Sequence, residues 1–172
     1  MADNTETEVP IWGDELKDFL DIGTADAPNW VEVTNLISWE FDDDEDAYEP
    51  DYINTRKKKK FIKDSTASIE YEKDLYKGNA LDKWIVEHED DSNIPVRVAR
   101  VRSWENNAAK AAKFLMTPKQ LDKNSSGEPI KLKGSMTMSD DEWTKGTWQD
   151  GAFVANSTDD PSTPGTDTEA QG

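Results

Sequence analysis

Thirty-seven carboxylates, twenty lysines and arginines and one histidine are the groups in this 172-residue chain that could do chemistry. The acid run Asp42, Asp43, Asp44, Glu45 and Asp46 raises a calcium site first, because oxygen-rich sites draw on several carboxylates. An EF-hand loop places glycine sixth and glutamate twelfth; counted from Asp42, those places hold Ala47 and Ile53, and the pattern fails. His88 falls at the end of an apolar stripe with no nucleophile signalled beside it, which fits a packed or solvated histidine better than a general base. No glycine-rich phosphate cradle is present. Paired carboxylates for glycoside hydrolysis can be drawn from so many acids that no pair stands out. Cysteine is absent, which removes disulfides, thiol catalysis and cysteine zinc sites. No catalytic residue, metal or cofactor is expected.

The charged groups carry a different signal, a reversal of sign between Asp42 and Lys63. Asp42, Asp43, Asp44, Glu45, Asp46, Glu49 and Asp51 come first; Arg56, Lys57, Lys58, Lys59, Lys60 and Lys63 follow. Each block alone repels itself and stays solvated. Together they can neutralise one another within a chain or between chains. A molecule carrying both signs on one protrusion can bind copies of itself head to tail, which builds rings or filaments. The plainer reading of a charge run is a solvated loop. The basic run with Phe61 beside it could also hold nucleic acid. The acids upstream compete for those lysines, and a net charge of −17 repels phosphate, so self-association ranks higher.

Size and composition suit one domain with a moderate core. Residues 1–10 and 155–172 are polar and acidic with little to bury, and read as a flexible N-terminal arm and a flexible C-terminal tail. The folded domain is expected over 11–154. No basic-then-apolar leader and no apolar run of about 20 residues is visible, so a soluble chain with no membrane partner is expected.

A period of two dominates that domain. Val31, Val33, Ile37, Trp39 and Phe41 share one face of a strand broken near Asn35. Ala67, Ile69 and Tyr71 share another. Ile130, Leu132, Gly134, Met136 and Met138 alternate with Lys131, Lys133, Ser135, Thr137 and Ser139. Val96–Val101 is a strand whose parity slips at Ala99, suggesting a bulge, and Lys113–Thr117 is a shorter one. Asp14–Ile22 fits a helix or a strand. One helix is well marked: Asn79 caps, Asp82 follows three residues on, and Leu81, Trp84, Ile85 and His88 recur at helical spacing. The long polar stretch Asp42–Asp64 and the segment Trp143–Trp148 read as loops. Trp39 and Trp84 suit the core, whereas Trp12, Trp143 and Trp148 suit an interface. The expected fold is mainly β: an antiparallel β-sandwich or partial barrel with one flanking α-helix, a long charged loop between early strands, and disordered termini.

The order of these features resembles the major tail (tail tube) proteins of long-tailed, noncontractile bacteriophages, the siphophages. The likeness runs from Ile11 to Phe153. It rests on the segment Gly13–Ile22, the strand Trp30, Val31, Glu32 and Val33 leading into Ile37 to Glu40, the charged loop, and the strand Ser68 to Tyr71. The helix Ala80–Glu87, the strand Val96–Val101, the closing strand Gly127 to Met136 and the ending Trp143 to Gly146 complete it. The resemblance implies a non-enzymatic structural virion protein that forms hexameric rings. These stack into a tail tube through which DNA passes without specific binding during ejection. It implies a tape measure protein, a tail terminator and distal tail proteins as partners, and a place in the virion after assembly in the host cytoplasm. It also implies that the loop carrying Asp42–Asp46 and Arg56–Lys63 contacts neighbouring subunits. Lys131 and Lys133 sit awkwardly with an acidic, DNA-repelling lumen unless they face outward or pair with acids on adjacent strands. A small acidic binding protein, a DNA mimic or host-protein inhibitor, is the alternative; such a protein stays small at high concentration.

Overall fold

The computed structural model describes residues 9–48, 61–122 and 126–156, with backbone alone for 44–48, 61–65 and 119–120. The expected N-terminal arm before Val9, the tail after Asn156 and the basic residues Arg56 to Lys60 lie outside the described residues. A 3-10 turn at Gly13–Glu15 leads into β1 (Leu16–Asp21), β2 (Trp30–Glu32), β3 (Leu36–Tyr48) and β4 (Phe61–Asp74). Helix α1 (Ala80–Glu87) follows, then β5 (Ile94–Arg102), β6 (Ala108–Asp122), β7 (Lys131–Met138), β8 (Thr144–Gln149) and β9 (Ala152–Ala155).

All pairings are antiparallel, in the order β2-β1-β5-β6-β7-β4-β3, with β8 and β9 branching from β6. The sheet stays open, with β2 at one end and β3 at the other. β6 serves both halves: its start pairs with β8 (Ala108↔Thr147) and its later part with β7 (Phe114↔Met138). The halves close on one core. Leu20, Val98 and Ala112 come from the first, Ile69, Tyr71, Leu132 and Met136 from the second, and Phe114 and Met116 from the shared strand. The helix adds Leu81 and Ile85. The predicted alternations of Ala67, Ile69 and Tyr71, and of Leu132 and Met136, point inward; Ile130 is exposed.

Several expectations sharpen. The break near Asn35 separates two strands, and Asn35 has a φ of 59°, a left-handed conformation that asparagine tolerates. Within Asp14–Ile22, Leu16–Asp21 forms β1, hydrogen-bonded to both β2 and β5. The bulge expected at Ala99 is absent: β5 keeps register with β1 and β6 straight through that residue. The parity slip has another cause, burial on both faces. Val96 and Val98 face the main core, while Ala99, Val101, Ala109 and Ala111 are buried on the opposite side, where Phe19 stacks on Trp148 with ring centroids 4.0 Å apart. Trp143–Trp148 is not a loop; Thr144 opens β8, held between β6 and β9. The strand expected at Lys113–Thr117 extends over Ala108–Asp122. Its alanine-rich start carries no β pattern of its own and is fixed by partners on both sides.

The helix begins where expected. Asn79 accepts hydrogen bonds from the amides of Leu81 (3.0 Å) and Asp82 (3.2 Å).

Gly134 is required by packing. A Cβ there would run into the phenol end of Tyr71, on the paired strand β4. Tyr71 is 4% exposed, and its hydroxyl has no hydrogen-bond partner among the described residues. Gly134→Ala is expected to cost about 1–3 kcal/mol in chemical denaturation, as overpacking does. Burial also pushes the Tyr71 phenol well above its ordinary value. The native ring stays neutral while the unfolded one ionises above about pH 10. Its contribution is therefore intact below that pH and falls above it by about 1.4 kcal/mol per pH unit. Tyr71→Phe should flatten that part of the alkaline fall.

Candidate functional site

The β3–β4 hairpin outruns the rest of the sheet. β4 pairs with β7 only from Ser68 to Asp74, whereas β3 and β4 remain paired out to Tyr48↔Phe61. The outer stretch is a two-stranded ribbon with no third strand among the described residues, about 20 Å long at roughly 3.3 Å per residue. The acid run lies along it. The sequence pattern suggested a loop from Asp42 to Lys63; pairing instead carries β3 through Tyr48 and resumes at Phe61, because backbone hydrogen bonding needs no apolar pattern.

Of the predicted contact residues, Asp42 and Asp43 are exposed and sit opposite Ser68 and Ala67. Asp44, Glu45 and Asp46 oppose Thr66, Ser65 and Asp64. The register shifts between Asp46 and Ala47, and Lys63 is the extra residue between Ile62 and Asp64. An isolated hairpin is marginal in water, and aspartate is a poor strand former. Five consecutive acids on such a ribbon call for a cationic counterpart.

Part of that counterpart lies at its base, in residues that sequence reasoning missed. Asp18, Arg100, Lys110 and Lys145 stand side by side across β1, β5, β6 and β8. Arg100 pairs with Asp18 at 2.8 Å and lies over the Phe41 ring at 3.9 Å. Lys110 lies over Trp143 at 4.3 Å. Desolvation lowers the Lys110 pKa, with Arg100 adding to the effect and Asp43 opposing it. No one-strand pattern announces such a row, because its members come from four strands.

The expected difficulty with Lys131 and Lys133 dissolves. Lys131 pairs with Glu72 at 2.9 Å and Lys133 with Asp122 at 2.7 Å. These hydrogen bonds, more than the bare charges, raise both lysine pKa values.

Helix α1 is tied to the sheet by another pair that the sequence concealed. Lys73 on β4 and Asp82 on α1 form an ion pair with both side chains 1% exposed. The other Asp82 oxygen accepts from the Tyr76 amide at 2.8 Å. The pattern reading took Asp82 as part of a helix start and did not single out Lys73.

His88 stacks on Trp84, ring centroids 4.4 Å apart, with Nδ1 2.8 Å from the Trp84 carbonyl oxygen. Among the described residues no group of three or more histidine and acid side chains could hold a metal, and no helix is long and apolar enough to cross a membrane. Of the tryptophans assigned to an interface, Trp143 packs against Phe41 and Phe114, and Trp148 against Phe19 and Trp30. Only Trp12 remains open, at 67% exposure.

No protein-family model matches this chain, and no curated protein matches it. Solved structures do. A subunit from the tail of an empty GTA particle, determined with C6 symmetry, superposes with a TM-score of 0.56 at 8% identity, covering 86% of this chain and 100% of the other. A subunit of the anti-feeding prophage baseplate, six-fold symmetrised, gives 0.51 at 9% identity, covering 79% and 96%. The fold is shared with these tail and baseplate subunits.

Proposed function

We propose that this chain is the tube subunit of a phage tail: a structural virion protein without enzymatic activity. Six copies form a ring, rings stack into a tube, and DNA passes along its lumen. The observation that carries this reading is the acidic two-stranded ribbon projecting from a fold shared with a GTA tail subunit. The long β3 edge has no partner among the described residues, and an unpaired edge of that length invites a neighbouring copy. The residues proposed for subunit contact are Asp42 to Asp46 on one side and Arg56 to Lys60 with Lys63 on the other. Individual exposed pairs contribute only about 0–1 kcal/mol. Assembly therefore draws on many pairs together with strand addition. The charge balance suits a conduit, since an acidic wall repels the phosphate backbone. Tape measure, terminator and distal tail proteins are the expected partners, and siphophages the expected setting.

Negative-stain electron microscopy of the purified protein, concentrated over days, tests this. Tubes of uniform diameter are expected. A protein that stays small at every concentration and instead binds a host protein tightly would favour an acidic inhibitor.

A further inference from the structure

Support for the β3–β4 ribbon ends at the rung Asp42↔Ser68↔Thr137. Beyond it two strands run on with no third among the described residues. A two-stranded ribbon twists more than a sheet and holds its direction poorly by itself. Phe41 stands one rung inside that limit, opposite Ile69, which in turn opposes Met136. Its ring is gripped from the other half of the fold. Arg100 of β5 lies over it at 3.9 Å, although β6, β7 and β4 separate β5 from β3 in the sheet order. Trp143 tilts against Phe41 at 6.1 Å and against Phe114 of the core at 5.6 Å. Lys110 of β6 covers Trp143 at 4.3 Å. The contacts thus run from cation to ring to ring to cation across the fold, at the point where the ribbon begins.

These cations are not placed for the stability of their own sheet. Arg100, Lys110 and Lys145 stand directly opposite one another on β5, β6 and β8, and like charges across a strand pair destabilise it. Asp18, 8% exposed, takes Arg100 through Nε at 2.8 Å and Nη2 at 3.2 Å. That two-pronged pair fixes the plane of the guanidinium that lies over Phe41. Arg102, the other arginine acting on Lys110, is held by Glu105 at 2.8 Å. Of the acids acting on Lys110, Asp43 outweighs Asp18. Asp43 lies two residues beyond Phe41 on β3 and so shares its face. The counter-charge that Lys110 draws on most therefore comes from the ribbon side.

We infer that Arg100 and Lys110 are positioning residues: through Phe41 and Trp143 they fix the direction in which the acidic ribbon leaves the sheet. The consequence for assembly rests on the tube-subunit reading; the positioning itself does not. A ribbon held at one angle presents Asp42–Asp46 to a neighbour with little ordering left to be done.

The chain has no cysteine, so two spin labels can be placed without background. Labels on Ala47→Cys and Lys83→Cys report the ribbon against the helix, and labels on Asp26→Cys and Lys83→Cys form a reference pair. Double electron–electron resonance on the dilute, unassembled chain reads both distance distributions. Two clamp variants are compared with the parent: Lys110→Met, and Arg100→Met combined with Asp18→Asn so that no carboxylate is left without its cation. Each should broaden the ribbon distribution about two-fold and leave the reference pair unchanged. Lys110→Arg, which can still cover Trp143, should keep the ribbon distribution narrow. An unchanged ribbon distribution in both methionine variants would overturn the inference. Equal broadening of the reference pair would overturn it too, because these residues would then hold the fold as a whole. Imaging the concentrated samples keeps the two readings apart. A ribbon loosened in the variants supports the positioning whether or not tubes form, and the tube reading fails separately, when the parent forms none.

Discussion

Replacing Lys57, Lys58, Lys59 and Lys60 together by glutamine is expected to abolish tube formation while leaving the subunit folded. The run contains no apolar residue, so its neutralisation removes nothing that a core could use. Surface changes of this kind usually stay within about 0.5 kcal/mol each, so the unfolding midpoint should move by only a few degrees. Assembly responds differently because it sums many weak contacts. Four cations lost from every subunit are lost at every repeat of the tube, and the acids of the ribbon are left to repel one another. A graded series should show the threshold: one or two glutamines slow tube growth and raise its salt sensitivity, and all four stop it. Particle length by electron microscopy, together with sedimentation of the same samples, reads this directly. Normal tubes from the fourfold variant would remove the basic run from the assembly mechanism.

Lys73→Met should produce the largest loss of stability. It leaves the Asp82 carboxylate inside the protein with the Tyr76 amide but without its cation. Breaking a buried pair from one side costs about 3–5 kcal/mol, because the remaining charge stays desolvated and unpaired. For a chain of this size that corresponds to a fall of roughly 6–20 °C in the unfolding midpoint. The double variant Lys73→Met with Asp82→Asn should recover more than half of the loss, since the amide oxygen can still accept from Tyr76 and no orphan charge remains. A double variant as unstable as the single one would mean that packing, not charge, is what Lys73 supplies. The pair also holds α1 against β4, so the single variant should loosen the helix from the sheet.

Much of the architecture was legible because burial writes a period into the chain. Ile69 and Tyr71, or Leu132 and Met136, alternate with polar neighbours because one face meets the core and the other does not. Asn79 announced the helix because its side chain satisfies amides that the helix itself cannot. What stayed hidden depends on partners distant in sequence. Ala99 breaks parity because Phe19 and Trp148 help enclose a second face, and no window around β5 contains either residue. The outer ribbon carries no apolar signal, and its strands are visible only through the pairing of Asp42–Tyr48 with residues on β4. Lys73 looks like a surface lysine until Asp82, on another element, is placed beside it. The charge reversal was plain in the sequence. Its setting on a projecting ribbon, with a cationic row near its base, was not.

The central claim is that the edge of β3, unpaired among the described residues, and the acidic ribbon beyond it are completed by a neighbouring copy. Helical reconstruction of assembled tubes by cryo-electron microscopy tests it most directly. The account predicts six-fold rings in which the β3 edge continues into an adjacent subunit and the Asp42–Asp46 stretch lies against lysines or arginines of another copy. Tubes in which β3 faces open solvent and the ribbon touches no other subunit would contradict it.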